Sequence, residues 1–152
     1  MSRYWLFKTE PGSYSIDDLK KDGRTHWDGI RNYQARNLLR DEVSKGDKIL
    51  VYHSSTDPVG VVGIAEVVRE AYPDPSAQDP SSKYYDQKAS DTDPRWFMVD
   101  IAFRERFDLV PLSELKETKG LEDMVVTKRS RLSVQPVTRE EFEIVTKLGK
   151  RD

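Results

Sequence analysis

The stretch Trp27-Asp28-Gly29-Ile30-Arg31-Asn32-Tyr33-Gln34-Ala35-Arg36 holds two aromatics, two arginines, an amide pair and a glycine in ten residues. Asn32 is a favoured helix N-cap residue, and Ala35, Leu38, Leu39 and Val43 follow it at helical spacing. The stretch therefore reads as a loop that turns into a helix, which Lys45-Gly46-Asp47 ends. The apolar run Lys48 to His53 comes next and reads as a strand.

Working outward, Tyr4 to Lys8 reads as a first strand. Ser15-Ile16-Asp17-Asp18 is a near capping box that opens a short helix, with Gly23 as its stop. Val59 to Val68 is a further strand, in which Gly60 and Gly63 signal a bend or bulge. Residues 73 to 94 form a long loop with Pro73, Pro75, Pro80 and Pro94, and Tyr84 and Tyr85 inside it favour partial order. Arg95 to Phe107 is a long strand and Leu112 to Glu117 a short helix. Leu132 to Gln135 is a short strand. Thr138-Arg139-Glu140-Glu141 caps a last helix that Gly149 ends. About five strands with bends and peripheral helices predict a small, partly open β-barrel.

The composition bounds the function. At 152 residues the chain reads as a single domain, 1–152, large enough to bury a core, and as a monomer. No apolar run approaches the roughly 20 residues needed to span a bilayer, and the N-terminus lacks the apolar length of a signal peptide. The absence of cysteine excludes disulfides and thiolate metal sites and fits a cytoplasmic protein. The net charge of −2 argues against coating nucleic acid through bulk charge, so any nucleic-acid contact must come from a local basic patch.

A helix starting at Asn32 would present free backbone N–H groups between Arg31 and Arg36, a natural anion site. The plainer alternative leaves Asn32 as a cap and the arginines solvated or paired to Asp28 and Asp41. Trp27 and Tyr33 could stack on a base or simply pack in the core. Tyr52-His53-Ser54-Ser55 resembles half of a hydrolase, but strand geometry resists that use. Neighbouring side chains point to opposite faces, so His53 cannot activate Ser54, and His53 and Ser55 stand about 7 Å apart. With only His26 and His53, no metal-ligand spacing appears. The strand end is better used as polar donors at a barrel mouth, or His53 is a satisfied buried histidine. In Lys8-Thr9-Glu10-Pro11 the carboxylate of Glu10 could accept from an exocyclic amine or pair with an arginine. Lys128-Arg129-Ser130-Arg131 is the densest basic run and could clamp a backbone or form a solvated face.

The segments Tyr4 to Pro11, Trp27 to Arg36, Tyr52 to Ser55, Val62 to Val68, Tyr72 to Pro75 and Arg131 to Val137 closely resemble the EVE domain family, in order and over nearly the whole chain. The resemblance implies an α+β, PUA-like fold: a bent, partly open β-barrel with short helices at its edges. It implies a non-enzymatic reader of modified bases, in DNA rather than RNA, with modified cytosines among them, and it calls for neither cofactor nor metal. Trp27, Arg31, Asn32, Tyr33 and Arg36 lie on the family's signature, and Tyr52, His53 and Ser54 on its second motif. The expected base-binding set is these aromatic and polar residues with Lys8 and Glu10. The expected phosphate set is Arg31, Arg36, Arg129 and Arg131. A sensor of a free nucleoside or other small molecule is the alternative use of such a pocket. An enzyme using Glu10 or His53 as acid–base group is a further one.

Overall fold

A computed structural model describes residues 3–128 and 131–150. Six strands form one open mixed sheet in the order β2-β5-β4-β3-β1-β6. They are β1 (Tyr4–Thr9), β2 (Arg24–Trp27), β3 (Lys48–His53), β4 (Gly60–Pro73), β5 (Phe97–Pro111) and β6 (Val134–Val137). Four helices, α1 (Ile16–Asp22), α2 (Tyr33–Asp41), α3 (Leu112–Glu117) and α4 (Arg139–Lys150), complete the α+β domain.

Period-two alternation distributes the apolar side chains into two cores, one on each face of the sheet. Trp5, Phe7, Ile49, Val51, Val99 and Ile101 join Ile16, Leu19, Ala35 and Leu39 of α1 and α2. Leu6, Leu50, Tyr52, Phe107 and Val110 join Leu115 of α3 and Val145 of α4. Along β4 the alternation changes phase: Val62, Ala65 and Val67 share the first core, Val61 and Ile64 the second. In the pairing with β3, adjacent Val51 and Tyr52 face Gly63 and Val61, so β4 carries one extra residue there and the side chains beyond it change face; the pairing with β5 shifts nearby, at Val61/Gly63 and at Ile64/Ala65. Gly63 is needed at this bend because a Cβ there would stand 2.3 Å from the Glu105 carbonyl oxygen. The bulges let the long β4–β5 pair bend and serve both cores.

The helix starts follow the sequence closely. Ser15 and Asp18 form a reciprocal capping box on α1, Asn32 caps α2, and Thr138 and Glu141 do the same for α4. Other boundaries differ. α2 stops at Asp41 with Glu42 as its C-cap, ahead of the expected Gly46 signal. Gly149 does not end α4; it lies inside the helix, where a Cβ would meet the Phe107 ring at 2.3 Å. Close packing, not a turn, explains that glycine. β2 has no clear sequence signal because it is a four-residue edge strand of alternating polar residues ending in Trp27. The long loop lies at residues 74–96, displaced slightly from the expected 73–94, and carries regular structure of its own. β4 runs on to Pro73, and a 3-10 turn at Pro75–Gln78 buries Ala77.

β1 and β3 are parallel, with Thr9 beside His53. Their C-terminal ends therefore open at the same edge of the molecule. There the connections before α1, after β2 and before β6 converge on the long loop.

Candidate functional site: an aromatic cleft at the open ends of β1 and β3

An open cleft of about 840 Å³ lies at this edge. Its floor comes from the end of β1 and from Ser54 just past β3, held together by the Ser54 N–H donating to the Thr9 carbonyl at 2.9 Å. The Lys8 N–H donates to the Ser133 carbonyl at 2.9 Å, which brings the segment before β6 alongside. Residues 25–32 build one wall and Ser13 and Tyr14 another, while Lys83 and Tyr84 reach in from the long loop.

Trp27 is only 8% exposed and belongs mainly to the first core, 5.8 Å from the Phe7 ring and edge-on to Tyr14 at 6.3 Å. One edge of the indole is left for the cleft. Tyr14 stands over it and donates its hydroxyl to Asp22 at 2.7 Å. Burial and that carboxylate push the phenol up to about 12, so it stays protonated at neutral pH. Tyr84 lies directly on the backbone of Gly29, a residue with φ of 79°. The cleft thus has three aromatic side chains converging on one space.

Polar groups rim it. Lys8, Lys83 and Arg131 contribute cations, and the Lys83 ammonium lies 5.0 Å from the centre of the Tyr84 ring. Burial lowers the Lys8 amine from its ordinary value. Glu10, His26 and Asp28 contribute acid–base groups. His26 Nδ1 lies 2.9 Å from the buried Asp100 carboxylate, which also accepts from Tyr72. Although burial opposes ionisation, these bonds hold the Asp100 carboxyl below its ordinary value. A carboxylate at Nδ1 places the imidazole proton there and leaves Nε2 as the second ring nitrogen.

The expected site residues divide into three groups. Trp27, Asn32, Ser54, Lys8, Glu10, Arg31 and Arg131 line the cleft. Tyr33, Tyr52, His53 and Arg36 do not line it. Tyr52 is 3% exposed in the second core. His53 Nε2 accepts from the Ile16 N–H at 3.0 Å and so helps to start α1. Burial lowers the His53 pKa, which keeps that acceptor neutral. Tyr33 is 48% exposed on a neighbouring face, stacked on Trp96 at 4.8 Å. Arg36 lies there too, 4.8 Å from the Tyr33 ring, and donates to the Arg95 carbonyl at 2.9 Å and to Asn37. The third group is Arg129 alone, which lies outside the described residues.

Arg31 lines the cleft, yet its guanidinium is turned inward. It donates to the carbonyls of Tyr84 (2.9 Å) and Ile30 (2.7 Å), to Asp74 (3.2 Å) and to Ser76 (3.1 Å). These bonds tie the long loop to the wall of the cleft. Tyr14, His26, Asp28, Lys83 and Tyr84 escaped the sequence reading. Gly29 was a signal for Tyr84, since a glycine amid bulky side chains marks a close approach.

Over residues 3–148 the sequence matches the EVE domain. The chain belongs to the EVE domain family. Human thymocyte nuclear protein 1 is 40% identical over 172 residues, which span all of this chain and 76% of that protein. A hypothetical protein from Leishmania major superposes with a TM-score of 0.95 at 46% identity, covering 99% of this chain and 96% of the other. Human THYN1, solved in complex with 5-methylcytosine containing DNA, superposes with a TM-score of 0.91 at 37% identity, covering 99% of each chain.

As in the expected PUA-like barrel, the sheet of this EVE domain is bent and open, and its open edge is where the cleft lies. Among the described residues no group of acidic or histidine side chains is placed to hold a metal ion, and no helix is long and apolar enough to cross a membrane.

Proposed function

We propose that this EVE domain is a reader of modified DNA that takes a flipped-out modified base, a modified cytosine above all, into the aromatic cleft. The human THYN1 structure with 5-methylcytosine containing DNA supports this reading, because it matches the present fold from end to end. A base leaving the stack needs a flat partner, polar groups for its edge and cations for the adjacent phosphates. Tyr84, Tyr14 and the edge of Trp27 offer the first, Ser54, Glu10, Asp28 and His26 the second, and Lys8, Lys83 and Arg131 the third.

The domain acts by binding rather than catalysis, as a monomer, and in the cytoplasm, which a chain without cysteine suits. Its two hydrolase-like side chains are occupied structurally. His53 Nε2 accepts from the Ile16 backbone, and the Ser54 hydroxyl lies 3.4 Å from the Thr9 carbonyl.

Fluorescence anisotropy with matched oligonucleotides, carrying 5-methylcytosine or cytosine at one position, tests the reading. Preference for the methylated strand is expected, with little binding of the free nucleoside. Equal affinity for both strands would sink it, and tight nucleoside binding with no gain from a longer strand would indicate a small-molecule sensor.

A further inference from the structure

Asp28 stands between Trp27, which is anchored in the core, and Gly29, which carries the Tyr84 ring, and it lines the cleft. Its neighbours are otherwise engaged. The buried Asp74 carboxylate accepts from the Gly29 N–H (2.9 Å), from the backbone and hydroxyl of Ser76, and from Arg31. Arg31 spends its remaining bonds on Ser76 and two carbonyls. Its own backbone N–H reaches the Asp28 carboxylate, but among the described residues no other residue's side chain hydrogen-bonds to it or forms an ion pair with it. A carboxylate in a polar cleft with acceptor capacity to spare is a recognition group for a donor.

We infer that Asp28 reads the amine edge of a cytosine-type base, accepting from the exocyclic amine with one oxygen and sharing a proton between the other oxygen and ring nitrogen N3. The inference rests on the proposed reader function and names the edge that is read. Cytosine presents a donor at N4 beside an acceptor at N3, and a substituent at C5 leaves both unchanged. Thymine presents an acceptor at O4 beside a donor at N3; a protonated carboxyl can turn its proton to O4, but thymine has no basic N3 to share that proton, and its O4 faces an oxygen of the ionised carboxylate. Asp28 therefore favours cytosines, modified or not, over thymine, while other groups sense the C5 substituent.

Ionised Asp28 and a neutral base hold no proton between them, whereas the complex holds one, whether drawn on the carboxyl or on N3. It comes from solvent. Partial burial and the neighbouring Asp74 carboxylate raise the Asp28 pKa, against the weaker pull of its own backbone N–H, Arg31 and His26, and so reduce the cost of that uptake. The other charged groups facing the cleft are Lys8 and Glu10 from β1, Lys83 from the long loop and Arg131 before β6.

Calorimetry of an oligonucleotide carrying one 5-methylcytosine, run in two buffers of different ionisation enthalpy across neutral pH, tests this. Wild type is expected to take up as much as one proton and to bind more weakly as pH rises, by up to about tenfold per pH unit. Asp28→Asn presents the same acceptor–donor pair without titrating, so its binding should show no uptake and no pH slope. Asp28→Ala should lose the preference over a thymine-containing strand. His26→Gln is measured beside them, and persistence of the uptake there assigns the proton to Asp28. Wild-type binding of the methylated strand without uptake, or an Asp28→Asn profile that still follows wild type, overturns the inference and leaves the reader function standing. Equal wild-type affinity for methylated and unmethylated strands overturns the reader function, whereas equal wild-type affinity for the cytosine- and thymine-containing strands overturns the inference.

Discussion

The Gly29 backbone lies flat beneath the Tyr84 ring, so close that a methyl group on Gly29 would stand 2.6 Å from Tyr84 Cζ. Gly29 also has a φ of 79°, which costs any other residue. One glycine thus sets both the turn after β2 and the position of an aromatic wall contributed from more than 50 residues away in sequence. Gly29→Ala should destabilise the fold by about 1–3 kcal/mol and displace Tyr84. Tyr84→Ala should leave the turn intact but lose about 1–3 kcal/mol of oligonucleotide binding if the ring stacks on a base. Thermal unfolding and anisotropy on the two variants separate the effects; full affinity in Tyr84→Ala would remove that ring from the site.

Arg31 distinguishes two uses of a signature arginine. If it held phosphate, Arg31→Ala would bind DNA less well and unfold normally. Its four internal hydrogen bonds and its pairing with buried Asp74 predict the opposite emphasis, a loss of about 3 kcal/mol of stability because Asp74 is left charged and unpaired. Denaturant unfolding decides, and a variant as stable as wild type would return Arg31 to the phosphate-binding role.

Cations at the rim should act additively on the salt dependence. Lys83 and Arg131 are exposed at the mouth of the cleft. Replacing either by Ala should weaken every oligonucleotide alike and lower the log affinity–log salt slope by about 1. Arg36→Ala offers the comparison, since that side chain lies on the neighbouring face against Tyr33. A slope reduced by Arg36→Ala as much as by Lys83→Ala would extend the footprint across α2.

His53 links folding to pH. Burial holds its folded pKa below the ordinary 6.5, so the unfolded chain binds the extra proton first. Stability should fall as pH drops below about 6.5 and level off once pH passes the folded pKa. Protonation also turns Nε2 from an acceptor into a donor facing the Ile16 N–H. His53→Gln should flatten that part of the melting temperature–pH curve, and an unchanged curve would assign the dependence elsewhere.

Local chemistry was legible in the sequence. The capping residues Ser15, Asn32 and Thr138 each start the helix they predict, because a cap needs only residues three positions apart. The bend at Gly60 and Gly63 and the apolar strands β1 and β3 were equally visible, as their signals are alternation and punctuation within a few residues. The family signature placed Trp27, Asn32 and Arg31 beside one cleft, and the β1 corner and Ser54 with them. Tertiary structure alone decided which way each side chain faces. It set Tyr52 and His53 into the interior, since the phase of β3 against two cores fixes which face is open. It turned Arg31 inward because the buried Asp74 on a distant loop needs a cation more than solvent does. It brought Tyr84 and Lys83 to the wall, and left the Asp28 carboxylate facing the cleft without a side-chain partner among the described residues, because those facts depend on where a long connection folds back. No periodicity records that, for a loop's position is set by the few long-range bonds that hold it.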